Sequence, residues 1–142
     1  MALEVKGLTA GYGPVTVLHG VDFRAEPGQI TCLMGRNGVG KSTCLKCLMG
    51  LVPATEGSIK LDGAALQSLP AHEVPRQGLA YVPQGRRLFG PLTVAENLAV
   101  GGLVRGNDRA TLERVLALFP RLRERLTQTA QTLSGGEQQM LA

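Results

Sequence analysis

The chain has 142 residues, of which 44% are hydrophobic and 18% are charged, so it is long enough for one domain and too apolar for a disordered tail. No apolar run reaches the roughly 18 residues of a membrane span, and the first residues lack the pattern of a signal peptide. The net charge of +4 permits an anionic partner but does not require one. Three cysteines outside any secretory pattern indicate reduced thiols.

The first third of the chain shows the alternation of apolar and polar residues that predicts short strands. Two strands are expected, at residues 3–6 and 17–24. The apolar face of the second strand is predicted to hold Val17, His19, Val21 and Phe23. The nearly continuous apolar run Ile30–Met34 predicts a strand that is covered on both faces, as in a parallel sheet.

One helix and two further strands are predicted next. Residues 43–49 have a helical pattern, which Gly50 ends. Gly57 and Gly63 bracket a short strand, and Leu79–Val82 is a second candidate for a buried strand. The first part of the chain therefore combines several strands with one helix.

The remainder of the chain is predicted to be helical. Thr93 and Glu96 form the pattern of a capping box, and Ser134 and Glu137 repeat it at the start of a last helix. Asp108 is suited to cap a helix between these two. The apolar face of that middle helix is predicted to hold Leu112, Val115, Leu116 and Phe119.

The segment Gly35–Ser42 fits the pattern G-x-x-x-x-G-K-[ST], between a predicted strand and a predicted helix. Its glycines allow backbone N–H groups to form a nest for phosphate oxygens, and the start of the helix favours the same anion. A glycine-rich turn with a chance lysine is the alternative, which the flanking elements disfavour. The pattern predicts a nucleoside triphosphate site with Mg²⁺. Its predicted binding residues are Gly35, Asn37, Gly38, Gly40, Lys41, Ser42 and Thr43.

Three side chains of this loop have distinct predicted roles. Lys41 is suited to reach the β- and γ-phosphates, because it directly precedes the helix. Ser42 offers a hydroxyl to Mg²⁺, and Thr43 is placed to contact the α-phosphate. A loop of this kind alone does not choose among kinases, GTPases, helicases and transporter ATPases.

A second motif makes that choice. The sequence LSGGEQQ at Leu133–Gln139 resembles the LSGGQ signature of ATP-binding cassette (ABC) proteins. A capped helix alone would explain Ser134 and Glu137, but it would not explain why the motif follows a phosphate-binding loop. The resemblance implies that the motif contacts the ATP of a second ATPase subunit. Its implied contact residues are Ser134, Gly135, Gly136 and Glu137.

The resemblance extends over the whole chain. Tyr12, between two glycines, matches the family's A-loop tyrosine, which stacks on adenine; a turn tyrosine is the alternative. Gln84 matches the Q-loop glutamine, for which the resemblance implies a catalytic role in sensing Mg²⁺ and the attacking water. Ser42 and Gln84 are therefore the implied metal contacts.

Three segments, at residues 32–41, 81–89 and 92–98, resemble the ATPases of bacterial branched-chain amino-acid and urea uptake systems, and Arg36 favours the urea branch. The implied job is to couple ATP binding and hydrolysis to uptake of urea or an amino acid. The implied partners are membrane-spanning permease subunits, a second ATPase subunit in a homo- or heterodimer and, indirectly, a solute-binding protein. Nucleic acid is not expected. The implied location is cytoplasmic, at the inner face of the plasma membrane.

The resemblance also implies an α/β fold, namely part of a P-loop ABC ATPase domain. Residues 1–84 would form the β-subdomain and the P-loop core, and residues 85–142 the Q-loop, the helical subdomain and the signature. Family members place the catalytic glutamate after an apolar strand that ends in aspartate, and no such pattern occurs in these 142 residues. We therefore expect the N-terminal portion of a cassette, which lacks the catalytic half and does not hydrolyse ATP appreciably alone.

Two alternatives to a transporter ATPase remain. One is a non-hydrolysing remnant that acts as an interaction module. The other is a soluble ABC ATPase that acts on nucleic acid, although the 48 residues between Gln84 and Leu133 leave no room for a long coiled coil. The pair Cys44 and Cys47 is interpreted as part of the core, because no partner pair suggests a redox or zinc site.

Overall fold

A computed structural model describes residues 1–104, 106 and 108–142, and it divides the chain into the units Met1–Tyr81 and Val82–Ala142. The first unit contains β1 (Leu3–Tyr12), β2 (Val15–Ala25), α1 (Lys41–Leu48), β3 (Ala54–Leu61), β4 (Ala64–Ala65) and a 3₁₀ helix (Val74–Gln77). The second contains α2 (Val94–Gly102), α3 (Arg109–Leu118), α4 (Pro120–Arg123), a 3₁₀ helix (Ala130–Thr132) and α5 (Gly135–Leu141). Among the described residues, no helix has the length and apolar character to cross a membrane.

The first unit is built on an antiparallel sheet with the strand order β2-β1-β3-β4. Leu3 of β1 lies opposite Ala25 of β2 on one side and Leu61 of β3 on the other. The sheet and α1 share one apolar core. The strand predicted between Gly57 and Gly63 is formed as part of β3, but β3 begins earlier, at Ala54, and includes Gly57. The largest fully buried side chains of this core are Val5, Leu8, Ile59, Leu66, Val74 and Cys44.

A bulge in β2 changes which of its residues face the core. Leu8 of β1 pairs with Val21, but Ala10 pairs with Leu18, so β2 has one extra residue between the two pairs. Gly20 supplies the left-handed backbone for this bulge, with a φ of 65°. Leu18 is therefore buried while His19 is exposed, and the predicted apolar face, which included His19, is wrong on that side of the bulge.

The predicted strands at Ile30–Met34 and Leu79–Val82 are not formed. Ile30 is 96% exposed and Met34 is 88% exposed, so the first of these apolar runs does not enter the core. A strand needs hydrogen-bonding neighbours, and the sheet of the described residues is antiparallel and includes neither segment. The prediction assumed a parallel sheet that would pair and cover both runs.

In the second unit, three helices begin after the capping residues that the sequence predicts, namely Thr93, Asp108 and Ser134. The Oγ1 of Thr93 accepts from the amide of Glu96 at 3.2 Å, while a Glu96 carboxylate oxygen accepts from the amide of Thr93 at 2.7 Å. Asp108 caps α3 by accepting from the amides of Ala110 and Thr111. A separate apolar core lies between these helices and consists of Val94, Leu116, Leu122, Ala130, Leu133 and Leu141.

Candidate nucleotide-binding site

The glycine-rich loop enters α1 through a left-handed turn. Gly38 and Gly40 have φ values of 85° and 103°, and Gly40 is the residue that precedes the helix. A Cβ atom on Gly40 would lie 2.8 Å from a methyl carbon of Leu18 and 3.1 Å from one of Val17. Backbone conformation and packing against β2 therefore both favour glycine at this position.

The side chain of Lys41 folds back along the loop that precedes it. Its Nζ donates to the carbonyl oxygen of Gly35 at 2.7 Å and to that of Arg36 at 2.9 Å. Both acceptors are neutral, and no carboxylate among the described residues forms an ion pair with this ammonium group. Among the described residues, the ammonium group of Lys41 is therefore held by neutral acceptors.

Backbone amides at the start of α1 have no acceptor within the helix. The first hydrogen bond of the helix joins the amide of Cys44 to the carbonyl oxygen of Gly40 at 2.8 Å. The three amides before it, at residues 41–43, belong to the first turn, where no intrahelical acceptor exists. The donors present fit a phosphate group, because amides and an ammonium are the groups that such an anion accepts from.

The two hydroxyl residues after Lys41 differ in exposure. Ser42 is exposed, whereas Thr43 is buried, with an exposed fraction of 7%. The Ser42 hydroxyl is thus the more accessible oxygen for a cation. Asn37 and Gly38 are exposed in the loop, and a Cβ atom on Gly38 would meet nothing within 4 Å.

Tyr12 lies at the end of β1, beside α1. Its side chain is 48% exposed, and the ammonium nitrogen of Lys46 lies 5.9 Å from the ring centroid. Gly11 has to be glycine, because a Cβ atom there would overlap the carbonyl oxygen of Val15. The turn between β1 and β2 thus fixes a half-exposed aromatic ring next to the helix that follows the loop.

The signature motif lies in the second unit, where Ser134 caps α5. The amide of Ser134 donates to a Glu137 carboxylate oxygen at 2.9 Å, and the Ser134 Oγ accepts from the amide of Glu137 at 3.3 Å, which confirms the predicted capping box. The Nε of Arg125 lies 3.0 Å from the other carboxylate oxygen of Glu137. Gly135 and Gly136 remain exposed.

The carboxylate of Glu137 is engaged within its own unit. Hydrogen bonds from Ser134 lower the pKa of Glu137 below its ordinary value, and the nearby charges of Arg125 and Arg121 lower it further. The Glu137 side chain is only 14% exposed. The exposed part of the motif is therefore its serine and two glycines, while the acid stabilises the turn that presents them.

The predicted site residues fall into two groups, one in each unit. Tyr12 and the loop Gly35–Thr43 belong to the first unit. Gln84 and the signature belong to the second, where Gln84 is exposed in a turn. Within that unit, Arg86 reaches the signature helix, and its guanidinium group donates to the side chain of Gln138 at 2.8 Å.

Sequence reasoning did not identify Asn97 as a residue of interest. Asn97 is 9% exposed. Its side-chain oxygen accepts from the backbone amide of Phe89 at 3.0 Å, and its side-chain nitrogen donates to the carbonyl oxygen of Phe89 at 3.1 Å. It thus fixes the segment that follows Gln84. The available signal was a polar residue on the buried side of α2, one turn after the capping residue Thr93.

Cys44 and Cys47 are buried in the first core, as the sequence interpretation expected. Burial raises the pKa of Cys44, and burial together with the neighbouring thiol raises the pKa of Cys47 to about 11. Cys32, in contrast, is exposed. Among the described residues, no group of three or more potential metal ligands occurs.

The sequence profile of the ABC transporter family matches residues 18–142. The chain belongs to this family. It is 49% identical over 133 residues to the high-affinity branched-chain amino acid transport ATP-binding protein BraG of Pseudomonas aeruginosa, covering 92% of this chain and 57% of that protein. It is 40% identical over 142 residues to the probable branched-chain amino acid transport ATP-binding protein LivF of Archaeoglobus fulgidus, covering 99% and 60%.

A solved structure confirms the fold. The protein described as the ATP-binding subunit of an ABC transporter superposes with a TM-score of 0.85 at 35% identity, over 99% of this chain and 59% of that one. The fold is therefore the α/β fold of an ABC ATPase domain, and the chain spans about three fifths of the length of the relatives that it matches. ATP-binding proteins of other importers also match, at lower identity.

Proposed function

We propose that this chain binds MgATP through its first unit and forms the ATP-binding part of an importer ATPase. The observation that carries the proposal is the cation of Lys41, which lies at the start of α1 and, within the described part of the chain, is held by neutral carbonyl groups alone. A triphosphate can replace these two acceptors without breaking an ion pair. The contacts that form join the ammonium group to a charged phosphate, and they are stronger than the lost contacts to neutral carbonyl oxygens.

The roles of the first-unit residues follow from their chemistry. Lys41 binds the β- and γ-phosphates, and the loop Gly35–Gly40 surrounds them with its amides. The Ser42 hydroxyl contributes to the Mg²⁺ site, and Thr43 contacts the α-phosphate through its backbone. Tyr12 stacks on adenine, since its ring is half exposed beside the helix that carries the phosphate-binding lysine.

The second unit serves catalysis and assembly in this proposal. Gln84 contacts Mg²⁺ and the attacking water, and Ser134, Gly135 and Gly136 donate to the γ-phosphate of ATP held by a second ATPase subunit. Glu137 supports these donors as the partner of Ser134 in the capping box. We also propose the functional division at residues 84 and 85, with a β-subdomain and P-loop core before it and a helical subdomain after it.

The proposed cargo is a branched-chain amino acid. The names of the two relatives at 49% and 40% identity support this cargo, while the urea branch suggested by Arg36 stays a prediction. The proposed partners are permease subunits, a second ATPase subunit and, through the permease, a solute-binding protein. Such an ATPase acts at the inner face of the plasma membrane as a peripheral subunit.

We expect this chain alone to bind ATP without rapid turnover. Phosphoryl transfer to water requires a group that orients or deprotonates the nucleophile, in addition to positioned phosphates. The sequence contains no apolar run followed by Asp-Glu, which is the pattern that supplies this group in the family. Phosphate release by the purified chain should therefore stay near the level of the Lys41→Ala variant. Lysine-dependent turnover at a rate typical of ATPases would contradict this expectation.

The binding proposal is tested with Lys41→Ala and a fluorescent ATP analogue in the presence of Mg²⁺. Removal of a charged donor should weaken binding roughly tenfold to a hundredfold, because such contacts contribute about 1.5–3 kcal/mol. Lys60→Ala is the matched control, since it removes the same charge from the exposed face of β3 in the same unit. Equal affinities of parent, Lys41→Ala and Lys60→Ala in folded samples would refute the proposed site.

A further inference from the structure

The side chain of Arg86 joins the turn after Gln84 to the signature helix. Its Nη1 donates to the Oε1 of Gln138 at 2.8 Å. The rest of its guanidinium group lies beside Gly135, which is exposed, and an added Cβ atom there would lie 3.3 Å from Nη2 and 3.7 Å from Cζ of Arg86. A side chain at position 135 would therefore require the guanidinium group to shift by a few tenths of an ångström.

Gln138 connects this contact to a third segment. While its Oε1 accepts from Arg86, its Nε2 donates to the carbonyl oxygens of Ala130 and Gln131, both at 3.3 Å. The amide of Gln138 closes the first turn of α5 by donating to the carbonyl oxygen of Ser134 at 2.9 Å. One residue therefore ties the guanidinium group, the signature turn and the preceding 3₁₀ helix together.

The backbone at Arg86 is held in a conformation that most residues disfavour. Gly85, Arg86 and Arg87 have φ values of 87°, 64° and 48°, and only the first of them is glycine. This conformation directs the two arginines differently, because Arg86 reaches α5 whereas Arg87 has no side-chain hydrogen bond among the described residues. Both border an open cavity of about 200 Å³ that Leu88, Gly90, Gln131 and Gln138 also line.

We propose that Arg86 is a positioning residue that holds the signature turn Ser134–Gly136 against the turn at Gln84 and Gly85. The inference rests on the proposed function, in which both turns serve the nucleotide. The Arg86 acceptor is a neutral amide, and within the described part of the chain no carboxylate pairs with Arg86. The contact is therefore a directional hydrogen bond and not an ion pair. In this proposal it keeps the backbone amides of Ser134–Gly136 in one orientation.

The contact is tested by amide hydrogen exchange on the full chain, with the amide of Gln138 as the reporter of the signature turn. Arg86→Ala should raise its exchange rate about tenfold or more, because a hydrogen bond from a charged group is lost. Arg86→Lys should restore part of the protection, since it keeps a cationic donor. The amide of Phe119, which bonds to Val115 in α3, should not change and serves as the internal reference.

Arg87→Ala is the matched control, because it removes a neighbouring arginine with the same left-handed backbone. It should leave the exchange of the Gln138 amide at the level of the parent. If Arg87→Ala and Arg86→Ala act alike, or if Arg86→Ala raises exchange throughout the second unit, the positioning role is refuted in favour of a general effect on stability.

A double-mutant cycle with Gly135→Ala gives an independent test. The added methyl group should displace the guanidinium group and raise the exchange of the Gln138 amide in the parent, but it should add little in Arg86→Ala. Additive effects would overturn the proposal. Affinity for MgATP is measured separately on Lys41→Ala, so a failed nucleotide site and a failed Arg86 contact give different results.

Discussion

Asn97 is predicted to stabilise the second unit more than any exposed polar residue of α2. Its hydrogen bonds give the size of its contribution to the free energy of unfolding. Its Oδ1 accepts from the amide of Phe89 at 3.0 Å, and its Nδ2 donates to the carbonyl oxygens of Phe89 at 3.1 Å and Thr93 at 2.9 Å. Asn97→Ala removes three hydrogen bonds of about 0.5–1.5 kcal/mol each. The higher helix propensity of alanine offsets about 0.6 kcal/mol. The expected loss is about 1–4 kcal/mol, with a central value of about 2.4 kcal/mol.

Urea unfolding monitored by circular dichroism measures this loss. With a urea dependence of about 1–3 kcal/mol per molar for a small protein, the midpoint of Asn97→Ala should fall by about 1–2 M. Gln139→Ala is the control, because Gln139 is an exposed amide on α5 and its replacement should change stability by less than about 0.5 kcal/mol. Equal midpoints for the two variants would refute the assignment of Asn97 as an anchor.

Asn97→Asp separates the acceptor from the donor. The carboxylate can still accept from the amide of Phe89, but it also faces the carbonyl oxygens of Phe89 and Thr93. At neutral pH this variant should be less stable than Asn97→Ala, because like partial charges meet at a mostly buried position. At acidic pH it should recover relative to Asn97→Ala, since a protonated carboxyl group can donate. A pH-independent difference between the two variants would contradict the geometry.

Three further predictions concern other parts of the chain. Tyr12→Ala should weaken MgATP binding severalfold whereas Tyr12→Phe should not, as judged by calorimetry; equal affinities would make Tyr12 a turn residue only. With a thiol reagent in excess, Cys32 should react rapidly and the two buried thiols only on unfolding, so Cys32→Ser should abolish the fast phase. The lowered pKa of Glu96 means that its capping contribution is complete above pH 4.5 and is lost as the pH falls through the folded-state pKa. Glu96→Gln should therefore flatten the acid titration of α2 helicity, and an unchanged profile would exclude this carboxylate as its origin.

Features determined by neighbours in the sequence were the ones that sequence reasoning predicted correctly. The capping boxes at Thr93 and Ser134 need only residues three positions apart, and both formed as predicted. The glycine-rich loop is similar, because its conformation depends on its own glycines and on the helix that it enters. These local signals also carried the family resemblance, which the match over residues 18–142 confirmed.

Features that depend on distant partners were missed or predicted wrongly. The composition of Ile30–Met34 suits a buried strand, but a strand also needs neighbours, which composition does not specify. The bulge at Gly20 moved Leu18 into the core through a register with β1 that a period of two cannot reveal. Asn97 and Arg86 act on residues 8 and 52 positions away in the chain. Their contacts arise only when the chain has folded.

The two motifs that we propose to contact nucleotide carry opposite charges, and the surroundings of each are compatible with a phosphate group. Lys41 is held by neutral carbonyl groups, so its positive charge remains uncompensated at the loop. Glu137 stands where the LSGGQ pattern has glutamine, and a free carboxylate there would repel an approaching phosphate. The Nε of Arg125 lies 3.0 Å from one oxygen of that carboxylate and pairs with it, while the other oxygen accepts from the amide of Ser134. The acidic residue therefore strengthens the turn without making the motif repulsive, which reconciles glutamate at this position with a role in binding an anion.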